Sequence, residues 1–255
     1  MSKSLFDLSG KVAIITGSTR GIGKSMAEEL ARAGCKVMVS SRKAEACEAV
    51  RAEFEKQDFE VLAHPCNVSR KEELKALVEA TVAKWGRVDI AIANAAANPY
   101  YGPLTDIPDE AFDKVFLNNV KSVLWFAALT LPGMAERGGG SFITVGSIGG
   151  IKANTVIGAY GTSKAADHHL VRNLAAEWGP QNVRVNAIAP GLIKTDFAKA
   201  LWEDTKRRTE REAATPLRRL GVPADIGGIA VFLASDAAAF ITGQVIVADG
   251  GVTIL

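Results

Sequence analysis

Cysteine and histidine, the side chains that most often mark a metal or redox site, are scarce in this sequence. The chain of 255 residues has 3 of each. The cysteines, Cys35, Cys47 and Cys66, are odd in number and lack the spacing of zinc-binding or redox motifs. We therefore predict buried thiols in a reducing compartment, and no bound metal.

Strong charge and long apolar runs are also missing. The formal net charge of +2 is too small to indicate a surface for nucleic acid. No apolar run approaches the ~18 residues of a membrane-spanning helix. Residues 1–10 lack the apolar stretch and small-residue cleavage site of a signal peptide. We therefore predict a cytoplasmic protein that binds neither nucleic acid nor a membrane.

What the chain does have is a series of short apolar runs rich in β-branched residues, separated by segments of helical periodicity. The runs predict strands over 12–16, 37–40, 61–63, 88–93, 142–145, 183–188 and 245–247. The segments predict helices over 21–33, 43–57, 70–85, 108–136, 155–179 and 223–234. Continuously apolar strands that alternate with helices predict a doubly wound parallel sheet of about seven strands, with helices on both faces. No linker or repeat divides the chain, so we expect residues 1–255 to form one α/β domain.

The stretch 17–25, Gly-Ser-Thr-Arg-Gly-Ile-Gly-Lys-Ser, is compatible with two phosphate-binding devices. Its last three residues look like the end of an NTPase P-loop, but that motif requires a glycine where the chain has Ser18. Gly17, Gly21 and Gly23 are instead suited to a tight turn that lets the backbone approach a pyrophosphate. The first turn of helix 21–33 then offers its N–H groups to the anion. This spacing favours a dinucleotide-binding turn.

Polar or glycine-bearing features follow most of the predicted strands. They are the glycine turn, Ser41 with Arg42, Asn67, Asn94, Ser147, and Pro190 with Gly191. Ligands of doubly wound sheets bind beyond the carboxyl ends of the strands. We therefore expect these residues to meet in one site.

With these motifs the sequence resembles the short-chain dehydrogenases/reductases, in their compact single-domain branch. The resemblance covers essentially the whole chain. It rests on Thr16-Gly17-x-x-x-Gly21-Ile22-Gly23, Asn94-Ala95-Ala96, Asn119, Ser147, Tyr160-x-x-x-Lys164 and Pro190-Gly191. The chain departs from the family pattern in having Ala96 for a usual glycine, Gly146 for a frequent serine, and Asn67 for a common aspartate near the adenine.

The resemblance implies a single-domain Rossmann fold and hydride transfer between a nicotinamide cofactor and a carbonyl or alcohol substrate. It implies catalytic roles for Asn119, Ser147, Tyr160 and Lys164. Cofactor contacts are expected at Gly17, Ser18, Arg20, Gly21, Ile22, Gly23, Ser41, Arg42, Asn67, Val68, Asn94, Tyr160, Lys164, Pro190, Gly191, Ile193 and Thr195. Helices 108–136 and 155–179 are expected to pair subunits into a homotetramer or, failing that, a dimer.

The chemistry of the site depends on Tyr160 and Lys164, which share one face of a helix because they are four residues apart. A free tyrosine ionises at about pH 10, and a neighbouring ammonium stabilises its phenolate. Tyr160 is therefore predicted to be a general acid toward a carbonyl oxygen, or a base toward an alcohol. Ser147 is predicted to donate a hydrogen bond to the same oxygen. The resemblance adds that Lys164 binds the nicotinamide ribose and that Asn119 holds a water of a proton relay.

Neighbours of these residues leave alternatives open. Asn118 and Asn119 are adjacent, and either could instead cap or bridge local structure; Asn119 is chosen because it matches the family pattern. His168 and His169 lie about two turns beyond Tyr160. We expect helix packing or a subunit contact for them rather than acid–base catalysis.

The end of strand 37–40 predicts the cofactor. NAD-dependent enzymes of this fold place an acidic side chain there to bind both ribose hydroxyls. Here Ser41 and Arg42 follow the strand, and Arg20 lies in the glycine turn. Hydroxyl and guanidinium groups suit a 2′-phosphate, so we predict NADPH.

The substrate is less well defined. Segment 192–219 is predicted to be either a mobile lid or a helix with a solvated, charged face. The candidate pocket side chains are Asn98, Tyr100, Tyr101, Ile148, Val156 and Trp202. This mostly apolar set fits a carbonyl reductase, with a 3-oxoacyl-thioester reductase as an alternative. A non-catalytic nucleotide-sensing regulator is disfavoured because it has no use for an activated tyrosine.

Overall fold

The computed structural model describes residues 4–255, without the side chain at position 207. Its strands are β1 (Val12–Thr16), β2 (Lys36–Ser40), β3 (Val61–Ala63), β4 (Ile90–Ala93), β5 (Gly140–Val145), β6 (Val183–Pro190) and β7 (Val245–Ala248). Its α-helices are α1 (Gly21–Arg32), α2 (Ala44–Glu55), α3 (Lys71–Trp85), α4 (Asp109–Phe116), α5 (Ser122–Glu136), α6 (Gly158–Trp178), α7 (Lys199–Trp202), α8 (Thr205–Ala214) and α9 (Ala224–Ala234).

The seven strands form one parallel sheet in the order β3-β2-β1-β4-β5-β6-β7. The register places Ile14 of β1 between Met38 of β2 and Ala91 of β4. The chain builds outward from β1 in one direction and from β4 in the other, so the switch point lies between these two strands. In such sheets this crevice, beyond the carboxyl ends of the strands, is where ligands bind. The predicted doubly wound sheet is confirmed.

Helices cover both faces because successive strand residues point to opposite sides. Ala13 and Ile15 of β1 enter a core shared with α1, α2 and α9. Ile14, between them, enters a second core shared with α3, α5 and α6. All five residues of β1 are buried. A strand covered on both faces must be apolar throughout, as the sequence pattern indicated.

The helix predicted over 108–136 is divided. Between α4 and α5 the backbone forms one π-helical turn, Leu117–Lys121, hereafter the π turn. Such turns insert one extra residue and often occur at functional sites. The helix predicted from residue 155 begins at Gly158, and segment 192–219 forms a short 3₁₀ turn followed by α7 and α8.

The helical stretch Asp109–Glu136 is, among the described residues, long and apolar enough to qualify as a membrane-spanning helix by length and composition. Its apolar residues have another explanation here. Phe126, Leu131 and Met134 are buried in the second core, against the sheet. Its composition is therefore that of a core helix.

Candidate active site

The turn after β5 carries Ser147 to helix α6. Ser147 caps the short turn Ile148–Gly150, and its Oγ accepts a hydrogen bond from the backbone N–H of Gly149 at 3.0 Å. This turn packs directly on α6. A Cβ on Gly161 would stand 2.6 Å from the carbonyl oxygen of Gly149, so only glycine permits this approach. The close packing fixes Ser147 next to the first turns of α6.

Ser147 and Tyr160 border the same space. A Cβ built on Gly149 would lie 3.4 Å from Ser147 Oγ and 3.9 Å from a ring carbon of Tyr160. Both side chains are half-buried, so they are fixed and still reachable. The bond from Gly149 uses a lone pair of the serine oxygen, and the hydroxyl proton can therefore still be donated. The arrangement suits two hydrogen bonds to one substrate oxygen.

Lys164 brings a buried cation beside this pair. Its side chain is 3 % exposed, and its Nζ donates to the carbonyl oxygen of Val145 at 2.8 Å and to Oδ2 of Asp167 at 3.0 Å. The Nζ lies 5.8 Å from the ring centroid of Tyr160. Burial alone would lower the pKa of Lys164, but attraction to Asp167 and Tyr160 raises it above its ordinary value. The ammonium stays charged and can stabilise a Tyr160 phenolate.

Asn119 lies in the π turn and is fully buried. Its amide is bound at both ends, accepting from the N–H of Ala97 at 2.8 Å and donating to the carbonyl of Ala97 and to Ser163 Oγ, both at 3.0 Å. The side chain of Asn118 instead bonds the carbonyl of Lys114 within its own helix. Of the two asparagines, Asn119 is the one that ties the π turn to the loop after β4 and to α6.

The glycine turn has the form of a pyrophosphate cradle. Gly17 and Gly21 adopt positive φ angles of 67° and 55°. A Cβ on Gly23 would lie 2.3 Å from the carbonyl oxygen of Gly17, so the start of α1 can approach the turn only with glycine there. No side chain caps α1 and no acidic residue lies in its first turn. Its free N–H groups fit an anionic group.

Two predicted cofactor residues support this turn from below. The amide of Asn94 donates to the carbonyls of Thr16 and Gly17 at 2.9 and 3.0 Å. The hydroxyl of Ser18, fully buried, donates to Ile15 and accepts from the N–H of Ser40. The visible contacts of Asn94 and Ser18 therefore shape the cradle, while Ile22 is half-buried at the start of α1.

Where the sequence predicts the adenosine to bind, the two arginines are open to solvent, Ser41 and Asn67 are half-buried and Val68 is buried. Arg42 is exposed, and Arg20 lies 3.7 Å from Asp196, with both side chains largely exposed. Arg42 and Asn67 line one surface cavity of about 910 Å³. Asn67 Oδ1 accepts from Ser69, which forms the turn before α3. The neighbouring Val68 is buried in the second core.

Residues after β6 cross over the glycine turn. Gly191 follows Pro190 at the strand end. A Cβ on Gly191 would lie 2.7 Å from Cα of Asp249. Ile193 is buried and pairs with Gly221 in an isolated bridge. Thr195 carries a methyl group that would lie 3.2 Å from a Cβ on Gly21. Of the predicted cofactor residues of this segment, Thr195 therefore reaches the cradle, while Gly191 and Ile193 pack against Asp249 and Gly221.

The candidate substrate pocket is built from two loops and a short helix. The loop after β4 pairs with the loop before α6, where the N–H of Gly102 donates to the carbonyl of Val156 at 2.9 Å. The ring of Phe197 lies 6.1 Å from that of Tyr160, centroid to centroid. Sequence reasoning did not select Phe197, although an aromatic residue two positions after Thr195 in the proposed lid was a usable signal. Another candidate, Ile148, is in the turn after Ser147.

The three cysteines and His168 are buried in the fold. The three cysteines are buried free thiols, and burial raises the pKa of Cys66 to about 12. His168 is buried, and burial lowers its pKa to about 4, so it is neutral at physiological pH. Within residues 4–255, no group of three His, Cys, Asp or Glu side chains is placed to hold a metal ion. The prediction of no bound metal stays a prediction.

Comparison with known proteins identifies the family. The family model described as enoyl-(acyl carrier protein) reductase matches residues 17–253. The dehydrogenase/reductase SDR family member 4 of Sus scrofa is 41% identical over 244 residues, which are 96% of this chain and 88% of that protein. The chain belongs to the short-chain dehydrogenase/reductase family. This confirms the resemblance seen in the sequence.

Solved structures of the family share the whole architecture. A 7α-hydroxysteroid dehydrogenase in complex with NADH and 7-oxo glycochenodeoxycholic acid has a TM-score of 0.94 and 38% identity, covering 98% of each chain. A gluconate 5-dehydrogenase from Burkholderia cenocepacia in complex with NADP and tartrate has a TM-score of 0.94 and 30% identity, again covering 98% of each chain. As a member of this family, the protein is an oxidoreductase that uses a nicotinamide cofactor on a small-molecule substrate.

Proposed function

We propose that the protein is an NADPH-dependent reductase of carbonyl compounds, converting a ketone reversibly into a secondary alcohol. The observation that carries this proposal is the buried ammonium of Lys164, 5.8 Å from the ring of Tyr160. Ser147 borders the same space from the other side. A proton donor, its activating cation and an orienting hydroxyl are the groups that a carbonyl reduction requires of the protein.

In the proposed mechanism the protein handles the proton, and the bound nicotinamide supplies or accepts the hydride. Tyr160 donates its phenolic proton to the carbonyl oxygen of the substrate. Ser147 donates a hydrogen bond to the same oxygen and holds the carbonyl in line. Lys164 stabilises the phenolate that remains, and Asn119 holds the loop after β4 against α6. In alcohol oxidation, the phenolate of Tyr160 takes the proton back.

NADPH is proposed over NADH because of the side chains around the adenosine ribose. The segment after β2 offers Ser41 and Arg42 and no carboxylate, and Arg20 is exposed at the glycine turn. A guanidinium pairs with a phosphate through two parallel hydrogen bonds. Solved relatives carry either NADH or NADP, so this proposal depends on residues 20, 41 and 42 of this chain.

The mostly apolar surroundings of Tyr160 favour a ketone as substrate. Phe197 and Val156 leave much of their surface open beside the site. The description of the matching family model names an acyl-carrier-protein substrate, which supports a 3-oxoacyl thioester as the second candidate. A nucleotide-sensing regulator is disfavoured, because a binding protein gains nothing from a lysine buried beside a tyrosine.

One assay separates these candidates. Purified protein is mixed with NADPH or NADH and with a panel of ketones, keto-esters and 3-oxoacyl thioesters, and the loss of nicotinamide absorbance is followed. We expect turnover of ketones with NADPH. Preferred turnover of the thioesters would support the second candidate, and absence of turnover across the panel, with retained NADPH binding, would support a regulator.

We also propose a cytoplasmic homotetramer in which segment 192–219 acts as a substrate lid. Free buried cysteines support the compartment. Exposed apolar side chains on α5 and at the chain end, Leu124, Ile254 and Leu255, support assembly. Light scattering at micromolar concentration is expected to give the mass of four chains; a monomer would contradict the proposal.

A further inference from the structure

A carboxylate lies behind Lys164 that the mechanism above does not use. Asp167 is on α6, one turn after Lys164, and its side chain is fully buried. Its Oδ2 accepts the hydrogen bond from the ammonium at 3.0 Å. Its Oδ1 has no hydrogen-bond partner among the described residues. Burying a carboxylate is costly: burial raises the pKa of Asp167, and the ion pair with Lys164 opposes that shift in part.

His168, the residue after Asp167, is also buried, but its side chain is neutral. Its Nε2 also lacks a partner among residues 4–255. A Cβ on Gly146 would stand 2.4 Å from that Nε2. A side chain at position 146, where the family often has a serine, would therefore require the ring of His168 to shift. Because burial keeps His168 neutral, this histidine adds no positive charge beside the Lys164 ammonium. Asp167 is the carboxylate of α6 that contacts the ammonium.

Charged groups on the elements packed against α6 are directed elsewhere. β5 and the turn Ile148–Gly150 have no titratable side chain. On β6, Arg184 donates to the carbonyls of Leu233 and Ser235. In the π turn, Lys121 lies 5.2 Å over the ring of Trp125.

The remaining charged groups near α6 are solvent-exposed or lie on its own surface. Helix α5 has its one carboxylate at its last residue, Glu136. The charges of α4 are exposed, and they are Asp109, Glu110, Asp113 and Lys114. On α6 itself, the charge of Arg172 lowers the pKa of His168, and Tyr160 raises the pKa of Lys164. Among the charged groups, Asp167 therefore acts most strongly on the ammonium, and it opposes the effect of burial, which is the largest single influence on the pKa of Lys164.

We propose that Asp167 is a positioning residue of the catalytic centre, whose carboxylate holds the Lys164 ammonium charged and anchored against β5. The inference rests on the proposed function, in which that ammonium acts on Tyr160. The carboxylate and the Val145 carbonyl bind the ammonium from two sides, at 3.0 and 2.8 Å. These two contacts fix the direction from which the cation reaches the tyrosine.

Removing the carboxylate has a predictable sign. Burial without a partner lowers the pKa of a lysine by up to about 3–5 units. In the native protein the attraction to Asp167 and to Tyr160 together more than offsets this effect, and the pKa of Lys164 is raised. Lysine is charged below its pKa and neutral above it. Without Asp167, the ammonium is therefore lost at a lower pH, and the enzyme fails first in the alkaline range.

The test is the pH profile of kcat for alcohol oxidation, measured on wild type, Asp167→Asn, Asp167→Glu and Glu177→Gln. The asparagine keeps the shape and removes the charge. We expect its alkaline limb to move down by roughly one to three pH units, with a tenfold or greater loss at the pH of the wild-type alkaline plateau and a much smaller loss at acid pH. Glu177→Gln makes the same chemical change at an exposed position of α6, and its profile is expected to match wild type.

Other outcomes would overturn the inference. An Asp167→Asn profile that falls equally at every pH, with an unmoved limb, would mean that Asp167 only supports the fold. Melting temperature and NADPH binding verify that each variant is folded. If the asparagine variant does not fold, Asp167→Glu decides, because it retains the charge: an unmoved limb supports the inference and a limb displaced to lower pH contradicts it. Failure of the proposed function is distinct, since wild type itself would then be inactive.

Discussion

The two ends of the cofactor cleft are built on different principles. At the catalytic end, Lys164 and Asn119 are buried and each makes several hydrogen bonds to fixed groups. At the adenosine end, Arg20 and Arg42 extend into solvent, and the guanidinium of Arg20 lies 3.7 Å from the exposed carboxylate of Asp196. Buried groups with fixed partners define the chemistry, whereas exposed charges can select a ligand without disturbing the fold. Substitutions at the buried end should therefore reduce turnover, whereas substitutions at the exposed end should change the affinity for the cofactor.

The largest effect is expected from Tyr160→Phe. The change removes only the phenolic oxygen, so the proton donor is lost while the ring and the glycine turn remain. Loss of general acid catalysis typically costs about 10²–10⁴-fold. We expect kcat to fall by at least about a thousandfold with NADPH affinity unchanged within about twofold, measured by turnover and by fluorescence titration. Retention of a tenth of the wild-type turnover would remove Tyr160 from its proposed role.

The catalytic end was also the part that could be predicted most fully from sequence. Periodicity places Tyr160 and Lys164 on one helix face, and Ser147 follows a strand end. The family resemblance is what groups these three residues as one catalytic set. The π turn that holds Asn119 could not be predicted, because one inserted residue barely changes the apolar pattern over five positions. Asp167, three residues after Lys164, has ion-pair spacing. That spacing is equally common on solvated helix faces, and only the fold shows that this face is buried.

The second effect concerns cofactor choice at the exposed end. Arg42→Ala removes a charge-assisted contact to the 2′-phosphate, worth about 1.5–3 kcal/mol or roughly ten- to a hundredfold. NADPH affinity should weaken by that factor and NADH affinity should stay nearly constant. Conversely, Ser41→Asp places a carboxylate where NAD-dependent enzymes have one and should shift preference toward NADH.

A neighbouring charge provides the control for this prediction. Lys43 is exposed in the same loop, one residue beyond Arg42. Lys43→Ala should change the affinity for NADPH far less, because it removes long-range attraction but no direct contact. Equal losses in the Lys43 and Arg42 variants, or faster wild-type turnover with NADH at equal low concentration, would contradict a phosphate contact at Arg42.

At the glycine turn, the sequence did not reveal the contacts that two predicted cofactor residues make in the fold. Asn94 is predicted because it follows a strand, and Ser18 because it lies in the glycine turn of the family motif. In the structure both side chains bond the turn and its flanking strands. A motif marks where the backbone must adopt a special form, and it does not distinguish a side chain that touches the ligand from one that shapes the backbone. That distinction requires hydrogen-bond partners far apart in sequence, such as Asn94 and Gly17.

The smallest effect is expected between the two ends, where segment 192–219 crosses the cleft. The indole N–H of Trp202 donates to the carbonyl of Thr195 at 3.0 Å, and Thr195 in turn lies over Gly21. Trp202→Phe keeps an aromatic ring and removes this bond, which is worth about 0.5–1.5 kcal/mol. Opening of the segment, and hence cleavage within it by a protease at low concentration, should become roughly two- to tenfold faster.

The chain offers a matched control for that measurement. The indole N–H of Trp85, the last residue of α3, donates to the carboxylate of Glu60 at 2.7 Å, so Trp85→Phe also removes an indole hydrogen bond, but away from segment 192–219. Its cleavage rate within 192–219 should equal that of wild type. NADPH together with a substrate analogue should slow cleavage of wild type, because a closed lid protects its own backbone. If neither the two ligands nor Trp202→Phe changes the cleavage rate, segment 192–219 is a static surface helix and not a lid. The strands of the sheet would then be the elements that link the two ends of the cleft.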